Sequence, residues 1–372
     1  MNLFDPVELA FYHNETLKKY EEKLSEEQKQ KALKDPHARR YPRPCGFTVH
    51  LVVGCPFDCT YCYIYDMNFD RTPKPVQLRP DELVYSLLKN PNFISGRWGS
   101  LIAIGSISEP FIFPELALDY LRELSMLGNP MQFSTKSYLS RSYSEMLSHI
   151  KTTLNPLVTI VTIELTDIFE PKAPSVDKRL ETIRNLSSAG FKVSLFLRPI
   201  IVGVNYEEAE TILKLAHEAG ANAVIIGSFR ITYRIYMRLK ELGLNLRELE
   251  GRVNMRKLRK MPNKQFTVPL TQKERSELIL LARKIGLTPF KSACCSNSSN
   301  AGVTCPSICF ETGFCTKCPN MCQKHPRPAI ARVKEALRIL GLTVCIENSN
   351  GRILISDRKY RSLVQVLSRR LL

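Results

Sequence analysis

Two groups of cysteines carry most of the chemistry this sequence offers. Cys55, Cys59 and Cys62 stand in CPFDCTYC, a CxxxCxxC spacing that puts three thiols on one short loop. Cys294, Cys295, Cys305, Cys309, Cys315, Cys318 and Cys322 place seven more within 29 residues. Thiolates favour soft metals, and zinc and iron–sulfur clusters are the centres they build. Three thiolates on a 4Fe–4S cluster leave one iron open to a further ligand. The alternative for this loop is a closed zinc site with Cys45 or His50 as fourth donor, because structural zinc takes four protein ligands. In the second group the thiols sit among SNSSNAG, TCPS, ETGF and CPN, read as turn formers that let a short chain wrap a metal. Cys305, Cys309, Cys315, Cys318 and Cys322 are the ligand candidates there, for a second 4Fe–4S cluster or for zinc, with His325 as a further donor. Where thiols are kept reduced, such clusters point to metal ligation before disulfides.

The elements that must position these residues are legible in the apolar pattern. From Phe47 to Ser228 short apolar runs alternate with amphipathic stretches at the spacing of strand–helix units. Strands are expected at 47–53, 100–106, 131–136, 157–165, 192–199 and 222–228. Helices follow in PDELVYSLLKN, PELALDYLRELSMLG, RSYSEMLSHI, SVDKRLETIRNLSSAG and NYEEAETILKLAHEAG. The fold class is therefore α/β, a partial (βα)6 barrel or a doubly wound sheet, with ligands at the carboxyl ends of the strands. The first cysteine loop lies directly after the first strand. Five segments are expected: a helical arm at 1–44, the barrel at 45–228, a basic helical segment at 229–293, a cysteine-rich metal-binding segment at 294–325, and a small α/β unit at 326–372. In the last, Asn350-Gly351 marks a hairpin turn.

The cysteine loop, with the aromatic Tyr61 before its last cysteine, resembles the signature of the radical S-adenosylmethionine (SAM) superfamily. GSISEPF at 105–111, TKS at 135–137, and EPKAPSVDKRLETIRNLSSAGFKV at 170–193 followed by RPIIVGVN extend the resemblance. Together they are similar to the spore photoproduct lyase-like, or DNA repair photolyase-like, group, over about residues 45–228. The resemblance implies a radical SAM partial barrel in which Cys55, Cys59 and Cys62 ligate a 4Fe–4S cluster. The open iron would chelate the amino and carboxylate groups of SAM for one-electron cleavage, with the protein supplying placement. It further implies that Tyr61 packs by the adenine and that Gly105, Ser106 and Ser108 lie near the SAM amino group. Lys136, Ser137, Thr162, Glu164 and Arg198 would approach its carboxylate or ribose. Spore photoproduct lyases proper use a cysteine near the second-strand loop as hydrogen donor, and IAIGSISEPF contains none. Dimer reversal by that route is not implied, and no hydrogen donor is identified.

Charge bears on the partner. The net +17 is confined to one end: residues 1–228 carry 25 Lys/Arg against 27 Asp/Glu, and residues 229–372 carry 28 against 9. Such asymmetry favours an anionic partner, nucleic acid foremost. Arg230, Arg234, Arg238, Arg252, Arg256, Lys257, Arg259 and Lys260 fall in one stretch read as helical, with the first three spaced to share a face. The sequence thus reads as a radical SAM enzyme that abstracts hydrogen from a large anionic substrate, DNA or RNA, in modification or repair, with an electron donor as a second partner. A peptide or small-molecule substrate is one alternative; a non-enzymatic, zinc-stabilised nucleic-acid-binding protein is another. No run approaches the roughly 18 apolar residues of a membrane span, and the first residues lack a signal-peptide layout. The expected location is the cytoplasm, without a membrane partner.

Overall fold

The computed structural model describes residues 4–43, 46–305, 312–315, 317–320, 322, 327–349 and 352–369. The strands form an open sheet of eight. These are β1 (Phe47–Val49), β2 (Ile102–Ile104), β3 (Met131–Thr135), β4 (Leu154–Thr159), β5 (Val193–Ile200), β6 (Ala221–Ile231), β7 (Phe266–Val268) and β8 (Thr288–Phe290). Their order is β1-β2-β3-β4-β5-β6-β8, with every neighbouring pair parallel, and β7 runs antiparallel to the end of β6. Parallel neighbours need crossover connections. Those between successive strands from β2 to β6 are the helices Pro114–Ser125, Arg141–Ser148, Val176–Ser188 and Ala209–Glu218, and the helix Pro80–Leu88 precedes β2. The result is the partial barrel expected, with β8 as a seventh parallel strand beyond the six anticipated.

The helices include α1 (Pro6–Lys23), α2 (Glu26–Lys34), α3 (Pro80–Leu88), α4 (Pro114–Ser125), α5 (Arg141–Ser148), α6 (Val176–Ser188), α7 (Ala209–Glu218), α8 (Tyr233–Glu241), α9 (Met255–Lys260), α10 (Gln272–Ile285), α11 (Ala293–Ala301), α12 (Ile330–Ile339) and α13 (Arg361–Ser368), besides short turns of helix at Thr166–Phe169, Arg247–Arg252 and Thr312–Cys315. The N-terminal segment, read as one exposed helix, divides at Ser25, whose capping box with Gln28 starts α2. Val7, Leu9 and Ala10 of α1 share a core with Val333, Ala336 and Leu337 of α12 and with Leu363, Val364 and Leu367 of α13. The final unit has the expected helix, hairpin and helix, with Ile346–Ser349 paired antiparallel to Arg352–Ile355. The turn at Asn350-Gly351 lies outside the described residues. None of the described helices is long and apolar enough to cross a membrane.

Two local expectations fail for identifiable reasons. The fourth strand ends at Thr159 rather than 165, because the Glu208 carboxylate takes the Ile163 and Glu164 N–H groups and the Thr162 hydroxyl, drawing the chain off the sheet. The stretch SNSSNAG is not a set of turns: residues 293–301 form α11, with Ser296, Asn297 and Ser298 fully buried. Ser296 Oγ lies 2.7 Å from Ser194 Oγ and 3.1 Å from Asn155 Oδ1, which also accepts from Asn300 Nδ2. Asn297 Nδ2 donates to the Pro130 carbonyl at 3.3 Å. Asn155, Ser194 and the Pro130 carbonyl supply partners that Ser296, Asn297 Nδ2 and Asn300 would otherwise seek in a turn, so tertiary hydrogen bonds override propensity there. This polar helix plugs the barrel near the amino ends of its strands. Asn155→Leu removes the acceptor common to Ser296 and Asn300 and should destabilise the fold by about 1–3 kcal/mol in urea unfolding; an unchanged midpoint would show that α11 is held by apolar contacts alone.

Candidate active site

The CxxxCxxC loop is anchored on every side. Gly54 bridges Ser108 in the loop after β2. Asp58 adopts a left-handed conformation, and its carboxylate meets Arg71 Nε at 2.6 Å and Lys172 Nζ at 3.3 Å. Burial would raise its pKa, but these cations hold it below the ordinary range. The Tyr65 hydroxyl donates to the Cys55 carbonyl and accepts the Asp58 N–H, both at 3.1 Å. Thr60 N–H donates to the Phe169 carbonyl at 2.9 Å. From α8, Arg238 donates to the Thr60 carbonyl at 3.0 Å and the Cys62 carbonyl at 3.1 Å, while pairing with Asp66 at 2.8 Å. Arg238 is therefore part of the loop's support and not a member of an exposed stripe. Arg230 belongs to β6 and Arg234 to α8, and Arg252 is taken up by Glu248 and Glu274. Asp66 and Glu274, distant in the sequence, thus take Arg238 and Arg252 out of the basic set, while Arg230 and Arg234 stay exposed.

Cys55, Cys59 and Cys62 line one cavity with Gly105, Ser106, Ser108, Glu109, Ser134, Thr135, Lys136 and Thr159. Gly105 has φ of 84°, and a side chain there would lie 2.8 Å from the Ser134 carbonyl, so only glycine fits. The Glu109 carboxylate accepts the Thr135 hydroxyl at 2.6 Å, the Lys136 N–H at 2.9 Å and the Phe111 N–H at 3.3 Å, tying the loops after β2 and β3 together. Its burial pushes its pKa up against those bonds.

Beside the cavity lies a buried charge network. Glu170 pairs with Arg179, neither having exposed side-chain surface, and accepts the Tyr61 hydroxyl. Lys136 Nζ is 3.6 Å from Glu170 and 5.6 Å from the Tyr61 ring centre. Arg179 also donates to the carbonyls of Pro174, at 2.8 Å, and Thr159, at 3.3 Å. Burial opposes the Lys136 charge, but Cys59 and Glu170 outweigh it and hold the ammonium above the usual lysine range. Burial raises the Tyr61 phenol, reinforced by Glu170, so it stays a donor.

The remaining sequence candidates fall elsewhere. Tyr61 packs against Phe169 behind the thiols, off the cavity lining. Ser137 is buried behind Thr135, to whose hydroxyl its N–H donates at 2.9 Å. Thr162 is engaged by Glu208, and Glu164 is exposed beyond β4. Arg198 on β5 passes Gly227, where a Cβ would meet its side chain at 2.5 Å; it does not line this cavity. Glu109, Glu170 and Arg179 were not singled out from the sequence, although Glu170 and Arg179 lie within EPKAPSVDKRLE and their spacing in that motif was the available signal; Arg238 was marked only as part of a basic helix face. Of the C-terminal cysteines, Cys294, Cys295, Cys305, Cys318 and Cys322 gather near the base of the barrel. Cys315 packs against the main barrel core instead. Cys309 and His325 lie outside the described residues.

Burial pushes the Cys55, Cys59 and Cys62 thiols up to about 11, so they become thiolates near neutral pH only when a metal compensates their charge. Among the described residues no three donors surround one ion-sized point. The three thiols instead share a cavity wall, which suits a group whose thiolates sit on separate irons. The donor set fits a three-cysteine iron–sulfur cluster, and the opposite wall offers hydroxyls, backbone groups and one cation to a further ligand.

Residues 49–216 match the model of the radical SAM superfamily. An uncharacterized protein, ORF301 of Acidianus two-tailed virus, is 26% identical over 228 residues, 55% of this chain and 71% of that protein. Among solved structures, a spore photoproduct lyase variant with bound AdoMet and dinucleoside spore photoproduct superposes with a TM-score of 0.51 at 17% identity, covering 68% of this chain and 76% of that one. A second spore photoproduct lyase variant gives 0.49 at 17% identity, covering 64% and 72%. With the cysteine loop at the carboxyl end of a parallel partial barrel, residues 49–216 of this chain form a radical SAM domain, and the fold is similar to that of spore photoproduct lyase.

Proposed function

We propose that Cys55, Cys59 and Cys62 hold a 4Fe–4S cluster, that SAM binds across the adjoining cavity, and that the substrate is a nucleic acid undergoing modification or repair. When bound, cluster and cofactor supply reductive cleavage of the sulfonium C–S bond and a hydrogen-abstracting adenosyl radical. The chain's own part is positioning and exclusion of water. Gly105, Ser106 and Ser108 offer the cofactor's amino group backbone and hydroxyl acceptors. Lys136, held cationic by Glu170, faces its carboxylate. Phe57 and Ile64 give the cavity an apolar flank, and Glu109 keeps the two wall loops in register.

The observation that carries the nucleic-acid reading is the placement of α9. Arg256, Lys257, Arg259 and Lys260 are all exposed, while the buried Leu258 between them shares a core with Phe57, Cys59 and Tyr61 of the cysteine loop. A cluster of free cations is thus seated on the layer that backs the reaction site. Spore photoproduct lyase has been solved with a dinucleoside photoproduct bound, and the similar fold supports the same substrate class here.

Two outcomes follow. In anaerobically reconstituted, reduced protein, Cys55→Ala, Cys59→Ala and Cys62→Ala should each abolish 5′-deoxyadenosine formation followed by mass spectrometry; persistent cleavage in any one would refute the ligand assignment. Changing Arg256, Lys257, Arg259 and Lys260 together to Ala should weaken binding to DNA or RNA about equally across sequences. The slope of log affinity against log salt should become shallower by up to about 3–4, since each neutralised phosphate contributes about 0.7–0.9. Substrate-free SAM cleavage should be retained. An unchanged slope in fluorescence anisotropy would move the proposal to a peptide or small-molecule substrate.

A further inference from the structure

The second cysteine group is assembled differently from its order in the sequence. Cys294 and Cys295 open α11, which is keyed into the barrel by Ser296, Asn297 and Asn300. The Cys294 thiol is in hydrogen-bonding contact with Cys295 and Cys305, and the Ser292 hydroxyl lies 3.0 Å from Cys294 Sγ and 3.2 Å from Cys295 Sγ. The Cys305 N–H donates to the Cys322 thiol, which Asn320 Nδ2 also approaches at 3.2 Å. Cys295 and Cys318 both pack on the apolar cluster that includes Phe290 of β8 and Ala293 of α11. None of these five cysteines is in a disulfide. They border Leu101, which precedes β2, whereas the CxxxCxxC loop meets the carboxyl ends of the strands. The two thiol groups therefore occupy opposite ends of the barrel.

A second observation points to an anionic centre among them. Arg369, just after α13, is only 4% exposed. One of its nitrogens donates to the Trp98 carbonyl, and the guanidinium lies over the rings of Phe4, at 4.7 Å, and Trp98, at 5.8 Å. Among the described residues its Nε and Nη1 are buried without a hydrogen-bond partner, and Cys305 and Cys322 are near enough to favour its charge once they are thiolates. A buried guanidinium with two orphaned N–H groups is costly beside neutral thiols. Beside thiolates on a metal, whose combined charge is negative, the same group becomes a compensating cation.

We propose that Cys294, Cys295, Cys305, Cys318 and Cys322 supply the ligands of a second soft-metal thiolate centre at the base of the barrel, with Arg369 as its charge partner. The centre is separate from the site at Cys55, Cys59 and Cys62, and it draws on the α11 cysteines while leaving out Cys315. Among the described residues no three donors surround one ion-sized point; what supports a shared centre is the contact of Cys294 with Cys295 and Cys305 and of Cys305 with Cys322. By tying α11 to the later chain, the metal would brace the plug that fills the barrel.

The test uses the full chain carrying Cys55→Ala, Cys59→Ala and Cys62→Ala, so that the first site contributes no metal and its failure cannot be mistaken for failure of this one. Metal and acid-labile sulfide are counted after anaerobic purification. About four irons with about four sulfides per chain identifies a 4Fe–4S cluster; about one zinc without sulfide identifies a tetrathiolate zinc site; either supports the proposal. Adding Cys305→Ser and Cys322→Ser should remove that metal, and adding Cys315→Ser should not. Arg369→Met, with circular dichroism confirming its fold, should lose metal to a chelator at least several-fold faster than the parent, and Arg369→Lys should restore retention in part. Metal no higher than trace in the parent, metal surviving the Cys305/Cys322 change, or equal loss in Cys315→Ser would overturn the proposal.

Discussion

Glu170 has no exposed surface, and a carboxylate so placed is stable as an anion only if cations and donors meet it. Arg179, Tyr61 and Lys136 do so, and each belongs to a different part of the site. Tyr61 lies within the cysteine loop, Lys136 follows β3, and Arg179 rises from α6 while also closing on the carbonyl that ends β4. Satisfying one buried charge therefore fixes the cysteine loop relative to two strand ends and a helix. Removing any one partner would leave a buried charge or donor unmet, which explains why this region is dense in charged residues yet almost closed to solvent.

The cations of the C-terminal half divide by what meets them. Arg238 and Arg252 are consumed internally, the first by Asp66 and the loop carbonyls, the second by Glu274. The basic residues of α9 remain exposed because Leu258 and Met255 are the side chains of that short helix that pack inward. Net charge thus overstates the surface available to a polyanion, and the α9 part of what remains is seated on the same apolar layer as the cysteine loop. A substrate drawn to α9 would be brought close to the reacting centre rather than to a remote face.

Much of this was readable from residues alone. Strand–helix alternation gave the barrel, because parallel strands buried on both faces leave near-continuous apolar runs, and CxxxCxxC after β1 marked the reaction end. Gly105, Ser106, Ser108 and Lys136, which the family resemblance pointed to, line the cavity just beyond strand ends. Ser137, Thr162 and Arg198, pointed to in the same way, are not on its lining, since the motif does not say which side of a strand end faces the cavity. The α11 helix was hidden because SNSSNAG favours turns until the barrel supplies Asn155 and Ser194 as partners. The roles of Glu109, Glu170 and Arg238 depend on contacts with residues 26, 9 and 172 positions away, and only folding reveals those.

The central claim is that the three loop cysteines present an open iron to SAM against the wall formed by the loops after β2 and β3. Electron paramagnetic resonance of the reduced full-length protein, before and after SAM labelled with ¹⁷O in its carboxylate, tests it directly. The account predicts a 4Fe–4S signal whose g values shift on SAM addition, with hyperfine coupling to the labelled carboxylate. A signal unchanged by SAM, or no coupling to the label, would contradict it.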